Sequence, residues 1–183
     1  MIDLEDILNQ CKKNNTKAQA TLYNWLAPKL LGLCVRYMQN RDEAEDVMQD
    51  AFVKLFSNLS NYKGQGSFEG WAKRIAANTA LTALNKKNKI YFERNLQLVE
   101  NIDLDEEEAE HIDLQTILNC LNELPAGYRT IINMYLLDGY SHKEISENLG
   151  ITESSSRSQY ARARQSLMKL LKTKNTIASI KNA

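Results

Sequence analysis

The sequence predicts an all-α protein made of two helical domains joined by an acidic linker. Hydrophobic residues make up 43% of its 183 residues, but there are only seven glycines and two prolines, which favours helices over a turn-rich β fold. Residues 71–95 carry six basic side chains and one acidic, whereas residues 96–113 carry eight acidic and no lysine or arginine. Residues 141–175 carry seven basic and three acidic side chains. Two basic segments on either side of an acidic one indicate two nucleic-acid-facing modules and a linker that does not rest on nucleic acid.

Two amphipathic helices are predicted at the start of the chain, over residues 3–14 and 18–39. Both have apolar side chains at the spacing of one helical face, which we interpret as packing into a core. Pro28 falls inside the second helix, where it is expected to cause a kink or a break.

The most regular helix is predicted over residues 42–57. Its apolar side chains recur at the i, i+3, i+4, i+7 spacing of one buried face. Its remaining surface is acidic near the N-terminal end, beyond what the helix dipole requires, because like charges on adjacent turns repel. Two interpretations stay open for this surface: a docking face for a basic protein partner, or a plain solvated face.

A loop with the sequence YKGQGSFEGW covers residues 62–71 and leads into the next helix. Its glycines do not form the dinucleotide-binding pattern, and no strand precedes them. Aromatic residues interleaved with glycine and polar groups suit a platform for unstacked bases, where stacking contributes about 1–3 kcal/mol per base. The alternative is that Phe68 and Trp71 only anchor the following helix in the core.

The helix predicted from residue 71 to about 88 has basic and amide side chains opposite an apolar face. These side chains are candidates for phosphate contacts, although Lys86 and Lys87 also complement the C-terminal end of a helix dipole. Residues 96–113 have few large apolar side chains and are predicted to be a linker or a weakly formed helix.

A helix-turn-helix is predicted over residues 141–171, after two apolar-periodic helices over 114–124 and 128–137 with Pro125 expected at the first helical position. Ser141 and Glu144 form a capping-box pattern, and Gly150 ends the short helix. His142 is expected on the exposed side of that helix, and Ser156 on the buried stripe of the next. The second helix is interpreted as a DNA reader, or alternatively as half of an ordinary hairpin with a basic face. Its polar faces carry the following side chains: Ser154, Ser155, Arg157, Ser158, Gln159, Arg162, Arg164 and Gln165.

Three motifs resemble the extracytoplasmic-function (ECF) sigma factors of the sigma-70 family. They are EAEDVMQDAF at residues 43–52, WAKRIAAN at 71–78, and LPAGYR followed by DGYSHKEI at 124–129 and 138–145. The resemblance implies a sigma region 2 domain over residues 1–95, an acidic linker over 96–113, a region 4 helix-turn-helix over 114–175 and a short tail over 176–183.

The resemblance also implies roles for individual residues. Contacts with core RNA polymerase fall on Glu43, Glu45, Asp46, Gln49 and Asp50. Contacts with the −10 element fall on Tyr62, Lys63, Gly64, Gln65, Ser67, Lys73, Arg74, Asn78, Lys86 and Lys87. Contacts with the −35 element fall on Ser155, Arg157, Ser158, Ala161, Arg162 and Arg164.

The expected partners are core RNA polymerase, promoter DNA with its melted non-template strand, and an anti-sigma factor; the free chain is expected to be a monomer. Two histidines far apart and the lack of a phosphate loop argue against an enzyme, and we expect no catalytic residue, metal, cofactor or small-molecule substrate. Three widely spaced cysteines and the lack of a signal peptide or apolar span predict a cytoplasmic protein. The competing hypothesis is a stand-alone helix-turn-helix regulator that does not bind the polymerase.

Overall fold

The structure, a computed structural model, describes residues 3–88 and 113–181, with side chains described over 3–86 and 113–174. Every regular element in these ranges is helical, which confirms the all-α prediction. The chain forms two compact units, Met1–Lys87 and Asn88–Ala183. The predicted domain boundary at residue 95 lies outside the described residues, and so does the predicted linker at residues 96–113 apart from Asp113, whose side chain caps the next helix.

Four helices and one short turn form the N-terminal unit. They are α1 (Leu4–Lys12), α2 (Thr16–Met38), α3 (Arg41–Ser57), a 3-10 turn (Leu59–Asn61) and α4 (Phe68–Asn88). The first three helices each begin after a polar residue whose side chain accepts a hydrogen bond from the first turn, namely Asp3, Asn15 and Asn40. These caps satisfy backbone N–H groups that have no partner within the helix.

Helix α2 is continuous through Pro28, so of the two expected outcomes a break does not occur, and the kink stays a prediction. Proline inside a helix costs about 3 kcal/mol, because it lacks an N–H and its ring crowds the preceding turn. Leu26 and Leu30 flank it and are both 0% exposed. Since burying one leucine contributes about 1.5–3 kcal/mol, the apolar face of α2 offsets the local cost of the proline.

In its described residues, the C-terminal unit contains four further helices and a π-helical turn. They are α5 (Leu114–Glu123), α6 (Ala126–Ile132), the π-helical turn (Asn133–Leu137), α7 (His142–Leu149) and α8 (Glu153–Lys181). Pro125 was expected to be the first helical residue of α6. It is instead the N-cap, one position earlier. The core of this unit combines the apolar faces of α5, α6 and α8, and includes Cys120, Tyr128 and Ala163.

Replacing Ser141 by alanine should lower the free energy of unfolding of the C-terminal unit by about 1 kcal/mol. The Ser141 hydroxyl accepts a hydrogen bond from the backbone N–H of Glu144, and the Glu144 carboxylate accepts one from the N–H of Ser141. Amide hydrogen exchange in α7 measures the loss. Ser146→Ala is the matched control within the same helix, because among the described residues the Ser146 hydroxyl bonds to the Lys143 carbonyl alone. Equal losses in the two variants would contradict a capping role.

Candidate nucleic-acid interfaces

One face of α3 is acidic and exposed. Its apolar side chains, among them Ala44 and Leu55, are turned into the core, so the opposite side is presented to solvent. Asp46, Gln49 and Asp50 are exposed there, and none of them pairs with another side chain in the part of the chain that the structure describes. Glu43 and Glu45, which were predicted to act with them, lie at the edges of this surface and are half-buried. The Glu45 carboxylate accepts a hydrogen bond from Arg41 Nε at 2.9 Å. We call Asp46, Gln49 and Asp50 the acidic face.

The loop between the 3-10 turn and α4 is held by its own contacts. The Tyr62 hydroxyl donates a hydrogen bond to the Gly66 carbonyl at 2.8 Å. Gly64 and Gly66 have φ angles of 75° and 79°, in the left-handed region where a side chain would be strained. The Ser67 hydroxyl accepts a hydrogen bond from the Gly70 N–H at 3.1 Å and so caps α4. The loop is thus a fixed shape and presents Lys63 and Gln65 to solvent.

Three aromatic rings meet at the base of this loop. The centroids of Tyr62, Phe68 and Trp71 lie 5.2–5.5 Å from one another. Phe68 is 2% exposed and anchors the helix, whereas Tyr62 and Trp71 are half-buried. The alternative that these two rings only anchor the following helix in the core therefore fits Phe68 fully and Trp71 only in part.

Helix α4 presents three of its five predicted contact residues to solvent, namely Arg74, Asn78 and Lys86. Arg74 and Asn78 are four residues apart and lie on the same side of the helix. Lys73 is half-buried, with its Nζ 2.7 Å from Glu69 Oε1. Glu69 also bonds to Lys29, and hydrogen bonds from Lys29 and then Lys73 lower the pKa of the Glu69 carboxyl. The side chain of the fifth residue, Lys87, lies outside the described residues.

The second basic surface lies on α8, the second helix of the helix-turn-helix. The Thr152 hydroxyl accepts a hydrogen bond from the Ser155 N–H at 3.0 Å, and Gly150, with φ 67°, ends the preceding helix. These caps fix the turn between the two helices. Of the six predicted contact residues of α8, Ser155 is half-buried and the other five are exposed. The exposed residues are Arg157, Ser158, Ala161, Arg162 and Arg164.

Helical periodicity arranges these side chains in three rows. Residues seven apart fall on nearly the same side of a helix, so Ser155 lies on one flank with Arg162, and Arg157 on the other with Arg164. Ser158 and Ala161 lie between the flanks. Arg157 pairs with Glu153 one turn earlier, so binding to any other acceptor would require it to leave that partner.

His142 is half-buried, and the prediction that it is exposed was wrong. Its ring stacks on Tyr135 with centroids 4.3 Å apart, and its Nδ1 lies 3.0 Å from the Ser156 hydroxyl. Burial, followed by the charge of Arg157, lowers the pKa of His142, while Glu153 opposes the shift. The imidazole is therefore neutral at pH 7 and acts as a packing element between α7 and α8.

Gln159 is 4% exposed, which corrects its assignment to the solvent faces of α8. It follows Ser156 by three residues and precedes Ala163 by four, and both of these are 0% exposed. Residues at those spacings share one side of a helix, so Gln159 is turned inward with them. The burial of Ser156 was predicted correctly.

A pocket of about 580 Å³ lies between α1 and the loop that follows the 3-10 turn. Helix α1 contributes Glu5, Asn9 and Lys12, and the loop contributes Tyr62 and Lys63. The apolar spacing of α1 predicted only that this helix packs into the core. Nothing in the sequence pairs α1 with a loop some fifty residues later, because that contact depends on how the helices pack.

Other kinds of site have little support in residues 3–88 and 113–181. That part of the chain holds no group of three or more histidine, cysteine, aspartate or glutamate residues placed to bind a metal. None of its helices combines the length and the apolar character needed to cross a membrane. Cys11, Cys34 and Cys120 are buried as free thiols, and burial raises the pKa of Cys34 to about 12.

Two helical units, one with an acidic helix face and an aromatic loop and the other with a basic helix-turn-helix, define a sigma factor. The Sigma-70 region 2 family model matches residues 22–90, and the Sigma-70, region 4 model matches residues 114–167. The chain belongs to the sigma-70 family, and within it to the ECF group of RNA polymerase sigma factors.

Two relatives and one solved structure illustrate the similarity. The chain is 29% identical over 177 residues to the ECF RNA polymerase sigma factor SigW of Bacillus subtilis, covering 90% of this chain and 95% of that one. It is 27% identical over 180 residues to the RNA polymerase sigma-H factor of Pseudomonas aeruginosa, covering 91% and 93%. The sigma factor RpoE of Bartonella quintana, solved with the anti-sigma factor NepR, shares the fold with a TM-score of 0.53 at 22% identity, covering 84% of this chain and 96% of that one.

Proposed function

We propose that this chain binds core RNA polymerase, directs it to specific promoters through their −10 and −35 elements, and helps to open the duplex. The observation that carries the proposal is that a single chain presents an acidic helix face, a loop with three aromatic rings at its base and a capped basic helix-turn-helix. A stand-alone DNA-binding protein needs only the last of these. Sigma factors as a class are initiation factors and not enzymes, and we propose that this chain catalyses no reaction of its own and acts in the cytoplasm.

The acidic face supports polymerase binding through its electrostatics. Three adjacent polar side chains without partners in the described part of their own chain keep their full capacity to accept or donate hydrogen bonds. A basic surface on a partner would neutralise the mutual repulsion of Asp46 and Asp50, which are four residues apart. We propose that Glu43 and Glu45 extend this contact at its edges.

The two basic surfaces support two DNA contacts. Arg74, Asn78 and Lys86 on α4, with Lys63 and Gln65 on the loop, suit the −10 element, where bases are unstacked. The exposed rows of α8 suit a duplex major groove at the −35 element, since arginine donates two hydrogen bonds to guanine. We also propose an anti-sigma factor as the regulatory partner, because the solved structural relative is bound to one.

Co-purification with bacterial core polymerase in the absence of DNA tests the proposal. We expect a stoichiometric complex that then produces specific run-off transcripts from a genomic library. A chain that binds DNA fragments but not the core enzyme would instead be a stand-alone regulator, and the proposal would be wrong.

Replacing Arg162 by alanine should weaken binding to a duplex that carries the −35 element of a promoter found by run-off transcription. The expected loss is roughly 5- to 150-fold, equivalent to about 1–3 kcal/mol for a lost bidentate base contact. Fluorescence anisotropy with this duplex measures the loss. Lys169→Ala is the matched control, because Lys169 is also exposed, lies on the same side two turns later and carries the same charge. We expect the control to lose only a non-specific phosphate contact. A footprint over the −35 element that is unchanged in Arg162→Ala would contradict base reading by this residue.

A further inference from the structure

Two lysines from different helices share one carboxylate on the surface of the N-terminal unit. Lys29 of α2 donates a hydrogen bond to Oε2 of Glu69, and the Nζ of Lys73 on α4 lies 2.7 Å from Oε1 of the same side chain. The two ammonium groups are therefore held by the two oxygens of a single carboxyl group. We call Lys29, Glu69 and Lys73 the lysine clamp.

The position of Lys29 is also fixed by an aromatic ring. Its Nζ lies 4.3 Å from the centroid of the Trp25 ring, one helical turn earlier on α2. A lysine side chain that is free in solvent loses much rotamer freedom when it binds a ligand. Because Lys29 is already held by a ring and a carboxylate, it loses less of that freedom and is pre-organised for an anion.

The lysine clamp keeps a net charge of +1, because two ammonium groups surround one carboxylate. Hydrogen bonds from Lys29 and then Lys73 lower the pKa of Glu69, so the carboxylate stays ionised at neutral pH. All three side chains are accessible, with exposed fractions of 36% for Lys29, 30% for Glu69 and 44% for Lys73. Since an ammonium group has three donors, each lysine retains donors for a further acceptor.

The location of the lysine clamp favours a DNA contact over a purely structural role. Ion pairs with this much exposure contribute little to the stability of a fold. Lys73 directly precedes Arg74 on α4, the helix proposed to read the −10 element. A backbone phosphate has several acceptor oxygens and one negative charge, which match the donors and the charge that the clamp leaves over.

We propose that the lysine clamp binds one backbone phosphate of the promoter DNA beside the −10 element. Lys29 and Lys73 donate to the same phosphate, and Glu69 is the positioning residue that holds them together. The inference rests on the proposed function and adds α2 to the DNA-binding surface. Phosphate contacts fix the register of a strand without reading its bases, so the clamp determines where the strand lies along α4.

The test uses holoenzyme assembled from core polymerase and the full chain. The probe is a fork-junction DNA in which one phosphate at a time, on either strand, is replaced by a neutral methylphosphonate. For the unmodified chain, we expect one position near the −10 element at which this change weakens binding about three- to tenfold, because it removes charge-assisted hydrogen bonds to both lysines. In Lys29→Ala and Lys73→Ala, the same position should become insensitive. Because the phosphate is shared, the double variant should lose little more affinity than either single variant.

Two further variants of α2 provide the controls. Lys17 is exposed on the same helix and carries the same charge, but it is not part of the clamp. Lys17→Ala should therefore keep the sensitive position. Lys29→Arg retains the charge and should keep it as well, which separates the phosphate contact from damage to the fold.

Glu69→Gln tests the positioning residue. It removes the negative charge and leaves both lysines, so the net charge of the clamp rises to +2. The salt dependence of DNA binding should then steepen by about 0.7–0.9 in log K per log salt, and DNA of unrelated sequence should bind several-fold more tightly. A carboxylate that only ties α2 to α4 would shift the thermal transition and leave this slope unchanged.

The failure of this inference differs from failure of the proposed function. If holoenzyme containing Lys29→Ala keeps the sensitive phosphate, or if the unmodified chain shows none near the −10 element, the clamp does not bind DNA, and the sigma-factor function stands. If the unmodified chain forms no holoenzyme or selects no promoter, both proposals are overturned.

Discussion

Replacing Arg129 by alanine should lower the free energy of unfolding of the C-terminal unit by about 3 kcal/mol or more. Arg129 is 5% exposed. Its Nη1 donates hydrogen bonds to the carbonyl oxygens of Leu124, at 2.9 Å, and Asn122, at 3.4 Å. Those carbonyls lie at the C-terminal end of α5, where no intrahelical donor remains. Removing the donor from a buried carbonyl costs about 1–3 kcal/mol, and the cavity left by the side chain adds to that cost.

The charge of Arg129 is retained at an energetic cost. Burial lowers the pKa of its guanidinium, and its Nε is buried without a hydrogen-bond partner in the part of the chain that the structure describes. Arg129→Met is therefore the informative second variant, because it fills most of the volume and removes the buried charge but leaves the two carbonyls without donors. If methionine is as damaging as alanine, the hydrogen bonds dominate; if it is nearly harmless, packing dominates.

Amide hydrogen exchange resolved by mass spectrometry measures this loss, because it reports on α5 and α6 separately from the N-terminal unit. The two tryptophans, Trp25 and Trp71, both lie in the N-terminal unit. The transition observed by their fluorescence should therefore shift little in either variant. Unchanged protection of α5 in Arg129→Ala would contradict the role of the buried guanidinium.

The sequence was sufficient for most features that depend on a single helix, although Gln159 was assigned to solvent when its spacing from Ser156 and Ala163 already turns it inward. The burial of Ala44, Val47 and Leu55 on α3 follows from periodicity alone, and the capping box at Ser141 follows from two residues three apart. In each case the physical cause operates within one or two helical turns, so a local pattern contains all the information. The predicted exposure of the acidic face has the same origin.

Three other features could not be predicted from the sequence, because they depend on contacts between elements. His142 lies on the polar side of a short helix, and only its stacking on Tyr135 from the π-helical turn makes it half-buried. Arg129 attracted attention only as part of a motif, since a charged side chain is normally expected in solvent. The pocket beside α1 also needs the packed structure, because its two walls come from distant parts of the chain.

Asp46→Arg should weaken binding to core polymerase by about 100-fold or more. The exposed carboxylate lies at the centre of the acidic face, and a basic partner surface would meet a like charge in its place. Such an opposition costs several kcal/mol at an interface, and about 2.7 kcal/mol already corresponds to 100-fold. Asp46→Asn, which removes the charge without reversing it, should lose much less.

The measurement is competition for core polymerase against a labelled unmodified chain, at two salt concentrations. Asp6→Arg is the matched control, since it makes the same change in net charge within the same unit, at an exposed position on α1. Because α3 buries its opposite face, Asp46→Arg should leave the thermal transition of the N-terminal unit and the binding of isolated −35 duplex unchanged. Equal loss of core affinity in Asp46→Arg and Asp6→Arg would mean that overall charge and not the acidic face governs the contact. A loss confined to Asp46→Arg that diminishes at high salt would assign polymerase binding to this face of α3.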